Sequence, residues 1–169
     1  MSLRIADFAQ KYPPAGPHKP PDTPDQLREL TGADGVLLLT GAPFPQPVSG
    51  TPGRREGCHL WVIRAMDLPV VLEAAPRIRP PPLSSGVAKH TNLTGGAPAC
   101  CGGELWVDAV SANHLYVHGG SGRYWRSGDP LGPQKLADAV GVFEGLGYQV
   151  KSAGWDEDND LPARTFRER

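Results

Sequence analysis

Glycine and proline constrain this chain more than any other feature, because neither residue is well tolerated inside a helix or a central strand. The sequence holds 21 glycines and 19 prolines among 169 residues, which is almost a quarter of the total. They are spread between apolar segments and are not gathered into one low-complexity tract. The pattern predicts a folded, turn-rich domain with short strands, long enough to bury a core without disulfide bonds.

Apolar periodicity predicts two β-hairpins and one well-defined helix. Residues 59–64 are expected to pair with 69–74, and residues 103–108 with 114–119. From about residue 133 to 146 the apolar side chains recur three or four positions apart, which is typical of a helix that packs one face on a sheet. The predicted fold class is therefore α+β, with a mainly antiparallel sheet built from the two hairpins and this helix packed on it.

Composition divides the chain into three parts. Residues 1–22 are predicted to form a short N-terminal helix followed by a proline-rich arm. Residues 23–155 are expected to form one α+β domain, which opens at the helix-start pattern Thr23-Pro24-Asp25-Gln26. Residues 156–169 read as a charged tail.

Charge and cysteine content limit the function classes. The formal net charge of −1 disfavours binding to bulk nucleic acid or to an anionic membrane surface. No apolar run has the length of a membrane span and no secretory signal is visible, so we expect a cytoplasmic protein. The three cysteines are an odd number that includes an adjacent pair, which indicates reduced thiols.

The stretch from residue 90 to residue 124 contains most of the side chains that could carry chemistry. Its glycine-rich turn at residues 119–122 can direct backbone N–H groups, a hydroxyl and a guanidinium at one anion. An imidazole and a carboxylate beside the glycine turns could act as acid, base or orienting group. The expected ligand-binding residues are Thr91, Asn92, Ser121, Gly122, Arg123 and Tyr124, and the expected catalytic residues are His90 and Glu104.

Each candidate has a structural alternative. His90 can equally bond its own loop backbone, the glycine turn can be a plain connector, and Glu104 can be an exposed carboxylate at a strand end. Cys100 is a candidate nucleophile beside a histidine, although adjacent cysteines are more often small buried residues. The spacing of the histidines and cysteines does not fit a zinc motif, so no metal site is predicted, and the sequence identifies no cofactor.

Three short segments carry a resemblance to a known module. They are His90-Thr91-Asn92-Leu93, Gly103-Glu104-Leu105 and Ser121-Gly122-Arg123-Tyr124, the last of them ahead of the predicted helix. They resemble His-Ser-Ser-Phe-Leu, Ala-Gly-Glu-Leu and Ser-Gly-His-Tyr segments of a module in bacterial effector or toxin-like proteins and in plant IQ-motif calmodulin-binding proteins. The resemblance covers about residues 88–150, and Arg123 replaces the second histidine of the module. It implies a site at these segments and names no reaction.

A second resemblance is to ubiquitin-conjugating enzymes. A proline-rich turn, Pro80-Pro81-Pro82, leads to His90-Thr91-Asn92, and Cys100 follows ten residues after the histidine. These positions are similar to the His-Pro-Asn motif and thioester cysteine of that family, although the proline is missing here. The resemblance implies Cys100 as a nucleophile.

Two functions follow from these observations. The first is the binding of a small phosphate-bearing or nucleotide-like molecule in a pocket lined by glycine, histidine, serine and arginine. A protein with such a pocket could also be an effector-type enzyme. The alternative is a non-catalytic interaction protein of the immunity or inhibitor type. In that case the partner is a protein, bound by the proline-rich arm and by Tyr124 and Trp125 as exposed aromatic residues.

Overall fold

A six-stranded sheet forms the centre of the protein. The computed structural model describes residues 2–44, 48–74 and 78–166. The strand order is β1-β3-β2-β4-β5-β6; β5 and β6 run parallel and the other neighbours are antiparallel. The strands are β1 (Leu37–Leu38), β2 (His59–Ile63), β3 (Pro69–Leu72), β4 (Cys101–Val107), β5 (His114–His118) and β6 (Gln149–Ser152).

Two α-helices and a small hairpin complete the described part of the chain. Helix α1 spans Ile5–Lys11, and helix α2 spans Gly132–Gly145. Strands β7 (Trp155–Asp156) and β8 (Leu161–Pro162) form a separate antiparallel pair. Neither helix has the length or apolar character needed to cross a membrane. Three short 3-10 helices lie at Pro24–Leu27, Gly32–Asp34 and His90–Leu93.

The predicted fold class is wrong. The sequence indicated two hairpins that carry one helix, whereas the described residues form a mixed α/β fold with one large sheet and two α-helices. The two hairpins merge because β2 pairs with β4, with Trp61 opposite Gly103. Strands β1 and β6 then extend the sheet on either side. Unpaired backbone N–H and C=O groups at the edge of a sheet favour the addition of further strands. The apolar periodicity of a segment does not predict which strands it pairs with.

The sheet is covered on both faces. On the first face Trp61 packs edge-on against Phe143 of α2, with ring centroids 5.2 Å apart, and Phe8 of α1 belongs to the same core. Because side chains alternate along a strand, Leu60 and Val62 point to the opposite side, where Leu93 and Tyr124 join them in a second core. This opposite side, which also carries Cys58, Glu104, Trp106 and His118, is called the second face below.

The β7–β8 hairpin packs against the glycine-rich turn that follows β5. A Cβ atom on Gly119 would lie 2.6 Å from Cβ of Pro162, so only glycine allows this approach. Beyond β8 the chain crosses the second face. The ring of Phe166 lies edge-on to Trp106 and Tyr116, with centroids 6.0 and 5.8 Å away. Phe166, in the segment predicted to be a charged tail, therefore packs on the sheet.

Candidate functional site

A cavity of about 340 Å³ lies between the glycine-rich turn and the β7–β8 hairpin. The turn contributes residues 119–122, and the hairpin side contributes Asn159 and Arg164 among others. Trp125, Leu161 and Pro162 form an apolar wall. The cavity thus has a polar side with one guanidinium and an apolar side, a combination typical of small-molecule sites.

Ser121 is the polar residue of the turn in this cavity wall. Its side chain is buried, and its hydroxyl has no hydrogen-bond partner among the described residues. An unsatisfied buried hydroxyl costs roughly 1–3 kcal/mol. Because the Ser121 oxygen has almost no accessible surface, a ligand would reach it only after the side chain rotates toward the cavity. The neighbouring Gly122 is exposed, and a Cβ atom at that position would meet nothing within 4 Å.

Arg164 supplies the positive charge of the cavity. It is exposed, and within the described ranges its guanidinium makes no hydrogen bond or ion pair. The carboxylate of Asp156, on the same wall, accepts hydrogen bonds from the backbone N–H groups of Asp158 and Asn159 and from the Asn159 amide. These hydrogen bonds of Asp156 stabilise the loop of the β7–β8 hairpin. The N–H groups of the Arg164 guanidinium can therefore bind solvent or a ligand.

Arg123, the residue predicted to hold the anion, lies elsewhere. Only 4% of it is exposed, and its guanidinium donates to the carbonyl oxygens of Lys19 and Pro20 and to Oε1 of Gln26. Asp22 lies 3.7 Å away and adds an ion pair. These contacts fasten the proline-rich arm to the domain, and we assign Arg123 this structural role.

The imidazole loop is also buried. His90 donates from Nε2 to the carbonyl oxygen of Gly103 at 2.8 Å, and burial lowers the pKa of His90 to about 4. Asn92 uses its whole amide group, since its oxygen accepts from the Lys89 N–H and its nitrogen donates to the carbonyls of Asp25 and Arg28. Thr91 has a buried hydroxyl without a partner in the part of the chain that the structure describes.

The two predicted halves of the site do not share the cavity. The pKa of His90 is lowered chiefly by burial, and the positive charge of Arg123 adds to this effect. The 340 Å³ cavity, however, takes in Ser121 and Gly122 and none of His90, Thr91, Asn92 and Arg123. That His90 and Glu104 act in catalysis stays a prediction.

The aromatic residues expected on the surface are buried. Tyr124 is 3% exposed and its hydroxyl bonds Thr94 Oγ1 and the carbonyl oxygen of Ala97, while Trp125 is 6% exposed and donates to the carbonyl oxygen of Gly102. Neither ring is available as the exposed anchor that a protein partner would need.

Cys100 is a buried thiol beside a smaller cavity of about 220 Å³ that also involves His18 and Lys135. Burial raises the pKa of Cys100 to about 11, and the nearby Lys135 only partly opposes this effect. The thiol is therefore protonated at neutral pH, which disfavours a role as nucleophile.

Sequence reasoning missed a polar cluster on the second face. Glu104 of β4 stands opposite His118 of β5, with Oε2 3.4 Å from Nε2. Cys58 and Glu73 join Glu104, and their ligand atoms all lie within 4.8 Å of one another. The predicted second hairpin already aligned Glu104 with His118. Cys58 and Glu73 could not be placed beside them, because the pairing of β2 with β4 was not anticipated.

Comparison with protein families, curated proteins and solved structures found no match for this chain.

Proposed function

We propose that the protein binds a small phosphate-bearing molecule in the cavity between the glycine-rich turn and the β7–β8 hairpin. The observation that carries this proposal is that Ser121 and Arg164 line the same cavity from its two sides. Among the described residues the Ser121 hydroxyl has no hydrogen-bond partner, and the Arg164 guanidinium makes no hydrogen bond or ion pair. A guanidinium and a hydroxyl are common ligands of phosphate oxygens.

The turn favours close approach by the ligand. Gly122 is exposed and carries no side chain, so its backbone is open to the cavity. The apolar wall around Trp125 would accept a ring or another apolar part of the molecule. A nucleotide has both kinds of surface, which makes nucleotides the first class to test.

The proposal is tested by calorimetry and thermal shift with inorganic phosphate, nucleoside monophosphates and nucleoside triphosphates. Arg164→Gln removes the charge without touching a hydrogen bond of the fold. The matched control is Arg126→Gln, because Arg126 is also exposed and lies at the smaller cavity. We expect Arg164→Gln to weaken binding about tenfold or more, as the loss of a charge-assisted contact would.

The control variant should bind with unchanged affinity. Equal binding by the wild type and Arg164→Gln, or no binding of any phosphate-bearing compound, would contradict the proposal. Circular dichroism of each variant separates a loss of binding from a loss of fold.

A further inference from the structure

Three side chains that can ligate a metal meet on the second face, away from the residues that line the cavity. Cys58 lies just before β2 and Glu73 just after β3; they are neighbours because the Glu73 N–H donates to the Cys58 carbonyl at 2.9 Å. Glu104 enters from β4, where it stands opposite Leu60. The Cys58 sulfur and one oxygen from each carboxylate all lie within 4.8 Å of one another.

In the described part of the chain no lysine or arginine forms an ion pair with the two carboxylates of this cluster, Glu73 and Glu104. Burial raises the pKa of Glu104, and the more distant positive charges of Arg164 and Lys89 partly oppose this effect. Both glutamates are half-buried and Cys58 is 1% exposed. Partly buried carboxylates that converge without a close ion-pair partner are unfavourable, and a bound cation would relieve the repulsion between Glu73 and Glu104.

His118 orients Glu104 and is not itself a free ligand. The Gly120 N–H donates to Nδ1 of His118 at 3.0 Å, so that nitrogen holds the lone pair and the proton of the neutral ring is on Nε2. Nε2 faces Oε2 of Glu104 at 3.4 Å. At this distance the contact of the neutral ring with the carboxylate is weak and mainly electrostatic, and it favours one orientation of Glu104.

We propose that Cys58, Glu73 and Glu104 bind a divalent transition-metal cation, with Zn²⁺ the best match. Zn²⁺ accepts sulfur and carboxylate ligands together, and three protein ligands leave a fourth position open for water. Usual Zn²⁺ bond lengths place tetrahedral ligand atoms about 3.6 Å apart. Binding transfers the Cys58 thiol proton to solvent and leaves a thiolate on the metal.

The metal ligands are distinct from the residues that line the proposed ligand cavity, although the positive charge of Arg164 acts on Glu104. None of the three ligands lines that cavity, and Arg164 has no place in the ligand set. If the protein bound Zn²⁺ but no nucleotide, only the proposed ligand cavity would be contradicted. If it bound a nucleotide but no Zn²⁺, only the metal site would be contradicted.

The test is a titration of the full, reduced, metal-free protein with Co²⁺ and then Zn²⁺. Co²⁺ bound to a thiolate gives a charge-transfer absorption, which reports a sulfur ligand directly. We expect one cation per chain, a cobalt–thiolate band that Zn²⁺ displaces, and a rise in melting temperature with Zn²⁺. Cys58→Ser should abolish the band. Cys100→Ser is the matched control, because Cys100 is also a buried free thiol and lies outside the cluster.

Glu73→Gln provides a second variant on a partly exposed side chain whose loss leaves the core intact. It should weaken Zn²⁺ binding by about tenfold or more. The absence of a cobalt–thiolate band in the wild type, or a band that persists in Cys58→Ser, would overturn the proposal. Unchanged Zn²⁺ affinity in a folded Glu73→Gln variant would do the same.

Discussion

Arginine is typical of anion-binding sites, but Arg123 stabilises the folded structure. A buried guanidinium must satisfy its N–H groups, and here the carbonyls of Lys19 and Pro20 and the side chain of Gln26 do so. Residues 13 and 14, and again 20 and 21, are prolines, which cannot continue a helix and lack an N–H group. A side chain from the domain therefore replaces the missing backbone interactions of the arm.

Replacement of Arg123 should accordingly reduce stability. Arg123→Gln removes the hydrogen bonds of a buried guanidinium and leaves the buried Oε1 of Gln26 without this donor, so we expect the free energy of unfolding to fall by about 2–4 kcal/mol. Urea denaturation measures this change, and the exposed Arg126→Gln should stay within about 0.5 kcal/mol of wild type. If the two variants were equally stable, Arg123 would not be what holds the arm.

At the scale of elements, the glycine-rich turn and the β7–β8 hairpin depend on each other. Gly119→Ala would push a methyl group into Pro162 and displace the hairpin, whereas Gly122→Ala meets open space. We expect Gly119→Ala to cost about 1–3 kcal/mol as an overpacking substitution, and Gly122→Ala to be near neutral. Thermal denaturation compares the pair. Similar melting temperatures for the two variants would mean that the hairpin does not rest on the turn.

The sequence predicts an element well when the interactions that form it are between residues near each other in the chain. Strands β2, β3 and β5 fall within predicted segments, and β4 and α2 overlap theirs, because periodicity and turn residues act over a few positions. The pairing of β2 with β4 and the parallel docking of β6 on β5 depend on contacts far apart in sequence. For that reason the grouping of Cys58, Glu73 and Glu104 was not predictable, and neither was the burial of Arg123.

For the whole molecule, the buried histidines predict a loss of stability in acid. Burial lowers the pKa of His59, His90 and His118 to about 4, from the ordinary value of 6.5. Between about pH 4 and pH 6.5 these histidines therefore bind more protons in the unfolded chain than in the folded protein. The stability from these residues is fully present above pH 6.5 and is lost as the pH falls toward 4, by up to about 1.4 kcal/mol per histidine per pH unit.

Glu104 offsets a part of this loss of stability. Burial is the main cause that raises its pKa, so the folded state binds the Glu104 proton more readily than the unfolded state does. Urea unfolding at about pH 7, 5.5 and 4.5 would reveal the net slope. A free energy of unfolding that stays constant from pH 7 to 5 would show that these imidazoles are not held neutral by the fold.

The cavity at the glycine-rich turn is tested most directly by amide chemical-shift mapping of the protein while a phosphate-bearing ligand, first inorganic phosphate and then a nucleotide, is titrated. We predict saturable shifts at residues 120–122 and at Arg164 and Thr165, the two sides of the cavity. Saturable shifts confined to the smaller cavity around His18 and Lys135, or none at the turn, would contradict the proposed function.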